Sequence, residues 1–375
     1  MPQGNRLTVA LMASVLAASL APFGAQQAGA GKPLDEKDWD LFRRVFGLVL
    51  RDYVEPKSPQ EVILGALKGA AASAGPECAY IPPEEVEAYR SLSKPGAGLP
   101  LYVTKGADFA RVIAPYPGTD PVVRPGELLR FIGDRSTYDM TYPQVLAALR
   151  GKAGEKVRCI FIQADSWQST VVDLAFQPPA PPSWTPLGGG GCLAVPCIEA
   201  ALPAETARAV RASRGAVVVD LRGCASGDVS AALGWAGELI GKGEGPKRRG
   251  PKGTERDALS GPGLLSGRPI RVLVDEGTAR GGEILAAALV QAGALLVGNP
   301  TFGWAPYPED LPLENGGLLR LNASFFLGPD GKELKDHPLE PSVKLPDGKE
   351  GENPRAWALK VAAPASKEPQ GKNGR

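Results

Sequence analysis

The sequence predicts an α/β protein with more than one domain. Its 375 residues are 43% hydrophobic, enough to bury two or three separate cores. Over residues 180–350, buried strands alternate with apolar helices, as in Gly215–Leu221 followed by Val229–Ile240. Strands separated by helices are typical of a largely parallel or mixed sheet. The clearest such unit runs from Ile270 to Trp304, where a buried strand, a small-residue turn, an apolar helix and a second strand follow one another.

The first thirty residues have the pattern of a secretory signal peptide. Arg6 gives a short basic start, an apolar run extends from Leu7 to Leu20, and Ala28-Gly29-Ala30 resembles a small-residue cleavage site. The alternative is an uncleaved membrane anchor, but the apolar run is short for a membrane span. We therefore predict that residues 1–30 are removed. The mature protein would start near Gly31, keep no membrane span, and be secreted or periplasmic.

Residues 31–92 are predicted to form a helical segment. Apolar residues recur at helical spacing from Trp39 to Leu50, and Pro56 follows the end of that helix. Ser58-Pro59-Gln60-Glu61 has the chemistry of a helix start. A third short helix is predicted to begin at Tyr80–Glu85.

Residues 93–176 have the pattern of a small peptide-binding module. The predicted strands are Ala110–Ala114, Leu128–Ile132 and Val157–Gln163. One helix is predicted at Thr141–Arg150, with a capping box formed by Thr141 and Gln144. Short strands with one late helix favour such a module.

The last two segments complete the predicted organisation. Within residues 177–350, Ile270–Val274 and Leu295–Val297 are strands, and Gly317–Phe326 alternates like one arm of a hairpin. The polar and basic stretch Gly241–Arg256 is predicted to be an exposed loop. Residues 351–375 are predicted to be disordered, because Lys, Pro and Gly dominate their end.

Composition argues against several classes of function. The formal net charge is +1, with 42 basic and 41 acidic residues, which gives no electrostatic basis for binding nucleic acid. The chain has one histidine, His337, and its five cysteines match no common zinc spacing, so we predict neither a metal nor a cofactor. The cysteines are predicted to be structural. Cys192 and Cys197 are close enough to bridge a loop in an oxidising compartment.

Residues 112–157 resemble a PDZ domain of the type inserted in carboxyl-terminal processing peptidases. The motifs that carry this resemblance are Pro125-Gly126-Glu127-Leu128 and Leu149-Arg150-Gly151-Lys152. Such domains bind a peptide's C-terminal carboxylate on the N–H groups of a glycine loop and add its strand to their sheet. The resemblance places that loop at Gly96, Ala97, Gly98 and Leu99. Pro100 removes one donor from the receiving strand, and the sequence leaves open whether this weakens pairing.

Two further motifs follow in the chain, Asp220-Leu221-Arg222 with Ser226-Gly227, and Leu339–Val343. With them, nearly the whole mature chain resembles peptidase family S41, the tail-specific or carboxyl-terminal processing proteases. The first motif is similar to the family's Asp-Leu-Arg-x-x-x-Gly-Gly turn, in which Ser226 replaces the first glycine, and the second is similar to the motif that closes the core. The resemblance implies an S41 core of the ClpP/crotonase-like type over residues 177–350. It also implies that Ser226 and Gly227 form an oxyanion-like turn.

The same resemblance locates the family's catalytic groups. The family uses a serine nucleophile and a lysine base, and in this chain Arg280 occupies the serine position and Trp304 the lysine position. The position of the assisting glutamine is Pro308. Arginine remains protonated, tryptophan offers only an indole N–H, and proline has no side-chain functional group. No catalytic residue is therefore expected at these positions.

Two hydroxyls are the only weak substitutes for the lost nucleophile. Thr278 lies where active members also carry threonine, so a structural role in the turn is favoured. Ser226 lies on the oxyanion-like turn and would need a rearranged base. The favoured prediction is an exported pseudopeptidase that binds peptide C-termini or an active envelope protease, with Arg280 pairing with a substrate carboxylate. The alternative is an active serine endopeptidase with a non-standard site.

Overall fold

The computed structural model describes residues 35–94, 96–119, 123–198, 201–346 and 353–361. They form an N-terminal segment, a small domain and a core domain, and their strands lie in three sheets. The predicted α/β class is confirmed. The predicted signal peptide and residues 362–375 of the predicted disordered tail lie outside the described residues.

A six-stranded sheet forms the centre of the core domain. Its order is β17-β14-β13-β10-β9-β8, and all neighbours are parallel except β8 and β9. The strands are β8 (Ser183–Leu187), β9 (Gly190–Ala194), β10 (Ala216–Asp220), β13 (Ile270–Val274), β14 (Leu295–Gly298) and β17 (Val343–Lys344). The helices that follow strands in this part of the chain are α5 (Ala204–Ala212), α6 (Val229–Ile240) and α7 (Gly281–Gln291).

Both faces of this sheet are covered, which explains its continuous apolar strands. Val217 and Val219 pack into the cluster that contains the apolar residues of α6 and α7. Val218 points to the other face, where it meets helix α8 (Pro354–Lys360) through the buried Ala358. Helix α8 lies inside the predicted disordered tail, so that prediction is wrong for residues 354–360. The lysine and proline content of the tail predicts disorder, but a short helix forms there because it covers one face of the sheet.

A second, antiparallel sheet lies beside the first. Its order is β1-β16-β11-β12, with β15 also pairing with β16. The strands are β1 (Ala79–Ile81), β11 (Gly243–Gly250), β12 (Gly253–Leu259), β15 (Pro306–Pro312) and β16 (Leu318–Phe326). The predicted hairpin arm is confirmed in β16. The predicted loop over Gly241–Arg256 is wrong, because Arg248 holds β11 in a hairpin through Asp257 and through the ring of Tyr307.

The N-terminal segment is helical only in part. Its helices are α1 (Glu36–Asp52), α2 (Pro59–Ala72) and α3 (Val86–Ser91), with a 3-10 turn at Pro83–Glu85. Serine 58 caps α2 as predicted, with Glu61 completing the capping box. Strand β1 lies within this segment and pairs with β16, so the segment is joined to the core domain rather than separate from it.

The small domain coincides with the predicted peptide-binding module. Its sheet has the order β2-β3-β4-β6-β7, with β5 pairing with β4. The strands are β2 (Leu101–Thr104), β3 (Ala110–Pro115), β4 (Leu128–Ile132), β5 (Arg135–Ser136), β6 (Lys156–Ile162) and β7 (Ser169–Ala175). The single helix, α4 (Tyr142–Ala148), packs Val145 against Val103, Leu129 and Phe161. Strand β2 lies at one edge of the sheet.

The cysteines fill the core as thiols. All five are buried, and the bridge that the spacing of Cys192 and Cys197 would allow is not formed. Cys192 lies on β9, where its side chain packs into the face of the sheet covered by α8. A small apolar side chain fits that position, which agrees with the structural role predicted for the cysteines.

Candidate functional site

The site is built on a sharp turn between strand β13 and helix α7. Arg280 lies at the tip of this turn with φ 49° and ψ −120°, a conformation that a residue with a Cβ rarely adopts. The turn requires a glycine at position 282, because a Cβ there would lie 2.2 Å from the carbonyl oxygen of Cys224. A strained residue at the tip of a strand–turn–helix unit is the geometry that presents a nucleophile in many hydrolases. We call residues 275–282 the elbow.

The turn after strand β10 packs directly against the elbow. The N–H of Ala279 donates to the carbonyl of Cys224 at 3.1 Å, and the N–H of Gly281 donates to that of Ser226 at 3.0 Å. Gly227 lies under the Arg280 side chain, since a Cβ there would be 2.8 Å from Cδ of Arg280. The arginine side chain therefore fills the space over the turn predicted to be oxyanion-like.

The guanidinium of Arg280 is buried, and both of its terminal nitrogens donate to protein acceptors. Nη2 donates to the carboxylate of Glu77 and, at 2.6 Å, to the carbonyl of Val103, and Nη1 donates to the carbonyl of Ala225 at 3.2 Å. Arg280 is 8% exposed and Glu77 is 2% exposed. These partners come from the N-terminal segment, the small domain and the core domain. Arg280 therefore forms an ion pair with Glu77 inside the protein, and the hypothesis that it pairs with a substrate carboxylate is wrong.

Tyr142 adds a ring to the surroundings of this ion pair. The guanidinium of Arg280 lies 5.8 Å from the centre of the Tyr142 ring, within the range of a cation–π contact. Burial raises the pKa of Tyr142 to about 12, so its hydroxyl stays protonated beside the guanidinium.

The predicted base position lies next to the elbow. The N–H of Arg280 donates to the carbonyl of Trp304 at 2.7 Å, so the two positions that the sequence pairs are adjacent in the fold. The Trp304 side chain is 6% exposed and packs on Phe325 with ring centres 5.5 Å apart. Pro308 lies in β15 opposite Asn322. No group in this set can accept a proton from a nucleophile.

Glu283 organises the loop that carries Trp304. Its carboxylate accepts a hydrogen bond from the Thr301 hydroxyl and accepts the N–H groups of Gly303 and Trp304, both at 2.7 Å. Complete burial raises the pKa of Glu283 to about 7, although these donors oppose the shift. The sequence analysis missed this residue, because a glutamate in an apolar helix looks exposed until its partners from residues 301–304 are in place.

The two substitute hydroxyls are occupied by structural hydrogen bonds. Thr278 is completely buried, and its hydroxyl donates to the carbonyl of Leu221 at 2.9 Å. Ser226 is 2% exposed, and its oxygen accepts the N–H of Ile198 at 2.7 Å. Among the described residues, neither hydroxyl has a lysine or histidine as a hydrogen-bond partner. His337 is exposed and its Nδ1 lies 2.9 Å from the carbonyl oxygen of Lys335.

The loop predicted to bind a peptide carboxylate is partly committed within the small domain. The N–H of Gly98 donates to the carbonyl of Gln177 at 3.0 Å, and that of Leu99 donates to the carbonyl of Leu149 at 2.8 Å. The remaining predicted loop residues are Gly96 and Ala97. The edge of strand β2 beyond the loop is also covered, since the carbonyl of Val103 accepts from Arg280 and that of Lys105 accepts the N–H of Glu77.

A cavity of about 480 Å³ lies between the small domain and the core domain. Its floor is at the carboxyl ends of β10 and β13, where Asp220 accepts hydrogen bonds from both Arg222 and Arg355 at 2.7–2.9 Å. Its wall on the small-domain side is the segment Ala114–Thr119. We call it the interdomain cavity. Sequence analysis missed Arg355 because it lies in the tail predicted to be disordered.

Charge on the cavity floor is fixed by the two arginines. Burial opposes ionisation of Asp220, but the hydrogen bonds and charges of Arg222 and Arg355 outweigh it and hold the Asp220 pKa below its ordinary value. Burial raises the pKa of Asp275 on the neighbouring wall, although its carboxylate accepts the N–H groups of Gly223 and Gly277. Asp220 is therefore a permanent carboxylate between two cations.

Two other kinds of site are absent from the described ranges, a metal centre and a membrane span. No three side chains of the histidine, cysteine and carboxylate types converge as they would around a metal ion. No helix in the same ranges is both long and apolar enough to cross a membrane.

Comparisons with known proteins agree with this architecture. Residues 198–345 match peptidase family S41. The chain is 23% identical over 365 residues to the carboxy-terminal processing protease CtpA of Bacillus subtilis, with 90% of this chain and 77% of that protein covered. It is 24% identical over 337 residues to the carboxy-terminal-processing protease of Bartonella bacilliformis, with 80% and 74% covered.

The fold agrees with a solved structure of the same kind. The photosystem II D1 C-terminal processing protease superimposes with a TM-score of 0.64 at 20% identity, covering 82% of this chain and 86% of that protein. At this identity the likeness concerns the fold alone. Together with the sequence matches and the elbow geometry, it supports one conclusion: residues 198–345 form a peptidase family S41 domain, and the chain is a homologue of the carboxy-terminal processing proteases.

Proposed function

We propose that this protein is an exported S41-family pseudopeptidase, which binds peptide C-termini or partner proteins without cleaving them. The observation that carries the proposal is the state of the elbow. Its tip, where a nucleophile belongs, holds Arg280 in a buried ion pair with Glu77. The adjacent position holds Trp304, which cannot act as a base.

The chemistry of acyl transfer needs groups that this elbow lacks. A nucleophile must lose a proton to a base within hydrogen-bond reach, and the developing oxyanion must meet free donors. Arg280 can serve neither as the nucleophile nor as the base. Its side chain also covers Gly227, on the turn where the oxyanion would form. Removal of a nucleophile or a base alone typically reduces the rate by several orders of magnitude.

The alternative function, peptide cleavage from a non-standard site, has less support. It would require Thr278 or Ser226 as the nucleophile, and both hydroxyls are buried in hydrogen bonds that stabilise the turns around the elbow. Releasing either one would also require a base to replace its present partner.

A cleavage assay tests the proposal directly. The full chain is incubated with a peptide that ends in an apolar tail, and the products are followed by mass spectrometry beside an active S41 peptidase. We expect no product above the rate in buffer. Cleavage by the wild-type protein that disappears in Thr278→Ala or Ser226→Ala would establish the alternative. Any robust cleavage by the wild type refutes the pseudopeptidase proposal.

Restoring the serine and the lysine that the family uses provides a second test of the proposal. Because Arg280 and Trp304 are adjacent, the double variant Arg280→Ser and Trp304→Lys brings a serine and a lysine together. The segment between them is one residue shorter than the family spacing suggests. If this shortening misplaces the lysine, the double variant will remain inactive, and insertion of one residue before Trp304 should then increase its rate.

A further inference from the structure

We propose that the interdomain cavity binds an apolar group that carries a carboxylate, with Arg222 and Arg355 holding the carboxylate. The proposal deepens the proposed function, since it rests on a chain end being held rather than cut. It also gives that chain end a binding place other than the loop at Gly96–Leu99.

The position and size of the cavity fit a ligand site. In α/β folds, ligands bind in the crevice outside the carboxyl ends of parallel strands, which is where Asp220 and Asp275 place the cavity floor. Ligand pockets are commonly about 300–1,000 Å³ and often lie between domains. The interdomain cavity, at about 480 Å³ and between the small domain and the core domain, satisfies both conditions.

The walls are apolar and rigid. Five prolines line the cavity, together with Tyr116, whose ring lies 4.8 Å from that of Tyr102. These prolines are Pro115, Pro117, Pro125, Pro181 and Pro196. Proline has a fixed φ and no N–H, so such walls offer apolar contact and few donors. A polar group of the ligand must therefore be recognised at the floor.

The floor supplies more donors than its own acceptor can use. Arg222 donates to Asp220 through Nε and Nη2, and Arg355 donates through Nε. Each guanidinium has five N–H donors, so the side-chain hydrogen bonds among the described residues use three of ten. A second carboxylate can accept from these remaining donors, because planar guanidinium groups bind carboxylates in bidentate fashion.

The two other acids of the cavity do not remove this preference. Asp275 directs Oδ1 to the N–H groups of Gly223 and Gly277 and to the Thr278 hydroxyl, so it stabilises the elbow. Glu276 is exposed to solvent at the rim. The cavity lining therefore holds three carboxylates and two guanidinium groups. A ligand carboxylate would be recognised by the uncommitted N–H donors of Arg222 and Arg355 and not by a net positive charge.

The cavity also adjoins the loop that sequence analysis selected. The hydroxyl of Tyr116, on the cavity wall, lies 3.4 Å from the place of a Cβ on Gly98. The N–H groups of Gly98 and Leu99 are committed to carbonyls of the small domain. A chain end arriving at this part of the surface would find its charged partner in Arg222 and Arg355 instead. The same chemistry is offered by a peptide C-terminus and by a fatty acid.

Calorimetric titration of the full chain tests the proposal. The probes are an acetylated Ala-Ala-Leu tripeptide with a free carboxylate, the same peptide with a C-terminal amide, and dodecanoate. Arg355→Gln removes donors from the floor while leaving Asp220 paired with Arg222. Ala180→Trp fills the exposed mouth without changing charge. Arg208→Gln, on the exposed surface of α5, is the matched control.

The expected result is saturable binding of at least one carboxylate probe. It should weaken about tenfold or more in Arg355→Gln and Ala180→Trp and be unchanged in Arg208→Gln, with unchanged circular dichroism spectra. Binding of the tripeptide but not of dodecanoate assigns a peptide chain end, and the reverse assigns a fatty acid. Equal binding of acid and amide, or no binding of either carboxylate at millimolar concentration, overturns the proposal. Because the readout is binding, either failure leaves the cleavage test of the proposed function intact.

Discussion

Breaking the buried pair of Arg280 and Glu77 should destabilise the protein far more than breaking a surface pair. The perturbation is Arg280→Met, which keeps the length of the side chain and removes the charge. It leaves the Glu77 carboxylate 2% exposed and without its cation. The reciprocal variant Glu77→Gln removes the carboxylate charge and leaves the hydrogen bonds of the guanidinium to the carbonyls of Val103 and Ala225 in place.

The expected loss in the free energy of unfolding follows from the burial of the pair and from the number of hydrogen bonds that each variant removes. Removing one member of a buried ion pair costs about 3–5 kcal/mol, because the remaining charge is uncompensated. We expect Arg280→Met at the upper end of this range, since it also removes hydrogen bonds to two carbonyls worth about 1 kcal/mol each. Glu77→Gln should cost about 3 kcal/mol. The double variant should cost less than the sum of the two, with a coupling of about 2 kcal/mol or more.

The assay is urea unfolding followed by tryptophan fluorescence, with Trp304 beside the pair as a probe. The matched control is Arg43→Met, which breaks a pair with Asp40 whose side chains are 51% and 69% exposed. Exposed pairs contribute about 0–1 kcal/mol, so this control should hardly move the unfolding midpoint. Hydrogen exchange at residues 77–81 and 101–105 should also become faster in Arg280→Met.

An additive result would refute the reasoning. If Arg280→Met costs no more than Arg43→Met, or if the two single effects simply sum in the double variant, the pair does not join the three parts of the chain. Faster exchange confined to residues around 280, with residues 101–105 unaffected, would have the same meaning, because it would separate the elbow from the small domain.

Two further predictions concern the elbow and its neighbours. Glu283 binds a proton more tightly in the folded state, where its pKa is about 7. The free energy of unfolding should therefore fall by about 3 kcal/mol as the pH rises from about 4.5 to 7. Glu283→Gln should flatten this pH profile in urea titrations. Gly282→Ala should lower the melting temperature strongly, because its Cβ would meet the carbonyl of Cys224. Gly234→Ala, at an exposed position of α6 where a Cβ would have nothing within 4 Å, should raise the melting temperature slightly in calorimetry.

The parts of the fold that the sequence predicted are those governed by local patterns. Apolar runs bounded by glycine and proline located β10, β13 and β14, and the alternation of residues 317–326 located β16. The adjacency of positions 280 and 304 was also predictable, since both belong to one strand–turn–helix–strand unit. Local signals suffice where the partner lies nearby in the chain.

The misses share a physical cause, which is that their stabilising partners are distant in sequence. Strand β11 is held by Asp257 and Tyr307 rather than by its own apolar residues, so its basic composition looked like a loop. Helix α8 is stabilised by the face of a sheet formed by residues 192–297. Glu77 has no local pattern at all, and its role exists only because Arg280 reaches it across 203 positions of the chain.

The elbow shows how a position predicted for a nucleophile can hold a structural residue. The turn is strained at Arg280 and is kept by glycines at close approaches, so a long side chain at its tip is directed over the oxyanion-like turn toward the small domain. A buried cation there is costly unless it is paired and hydrogen-bonded. Glu77, Val103 and Ala225 meet that need from three different parts of the chain. The same geometry that would expose a serine to substrate therefore places an arginine where it joins the small domain to the core, and Arg280 does not line the interdomain cavity.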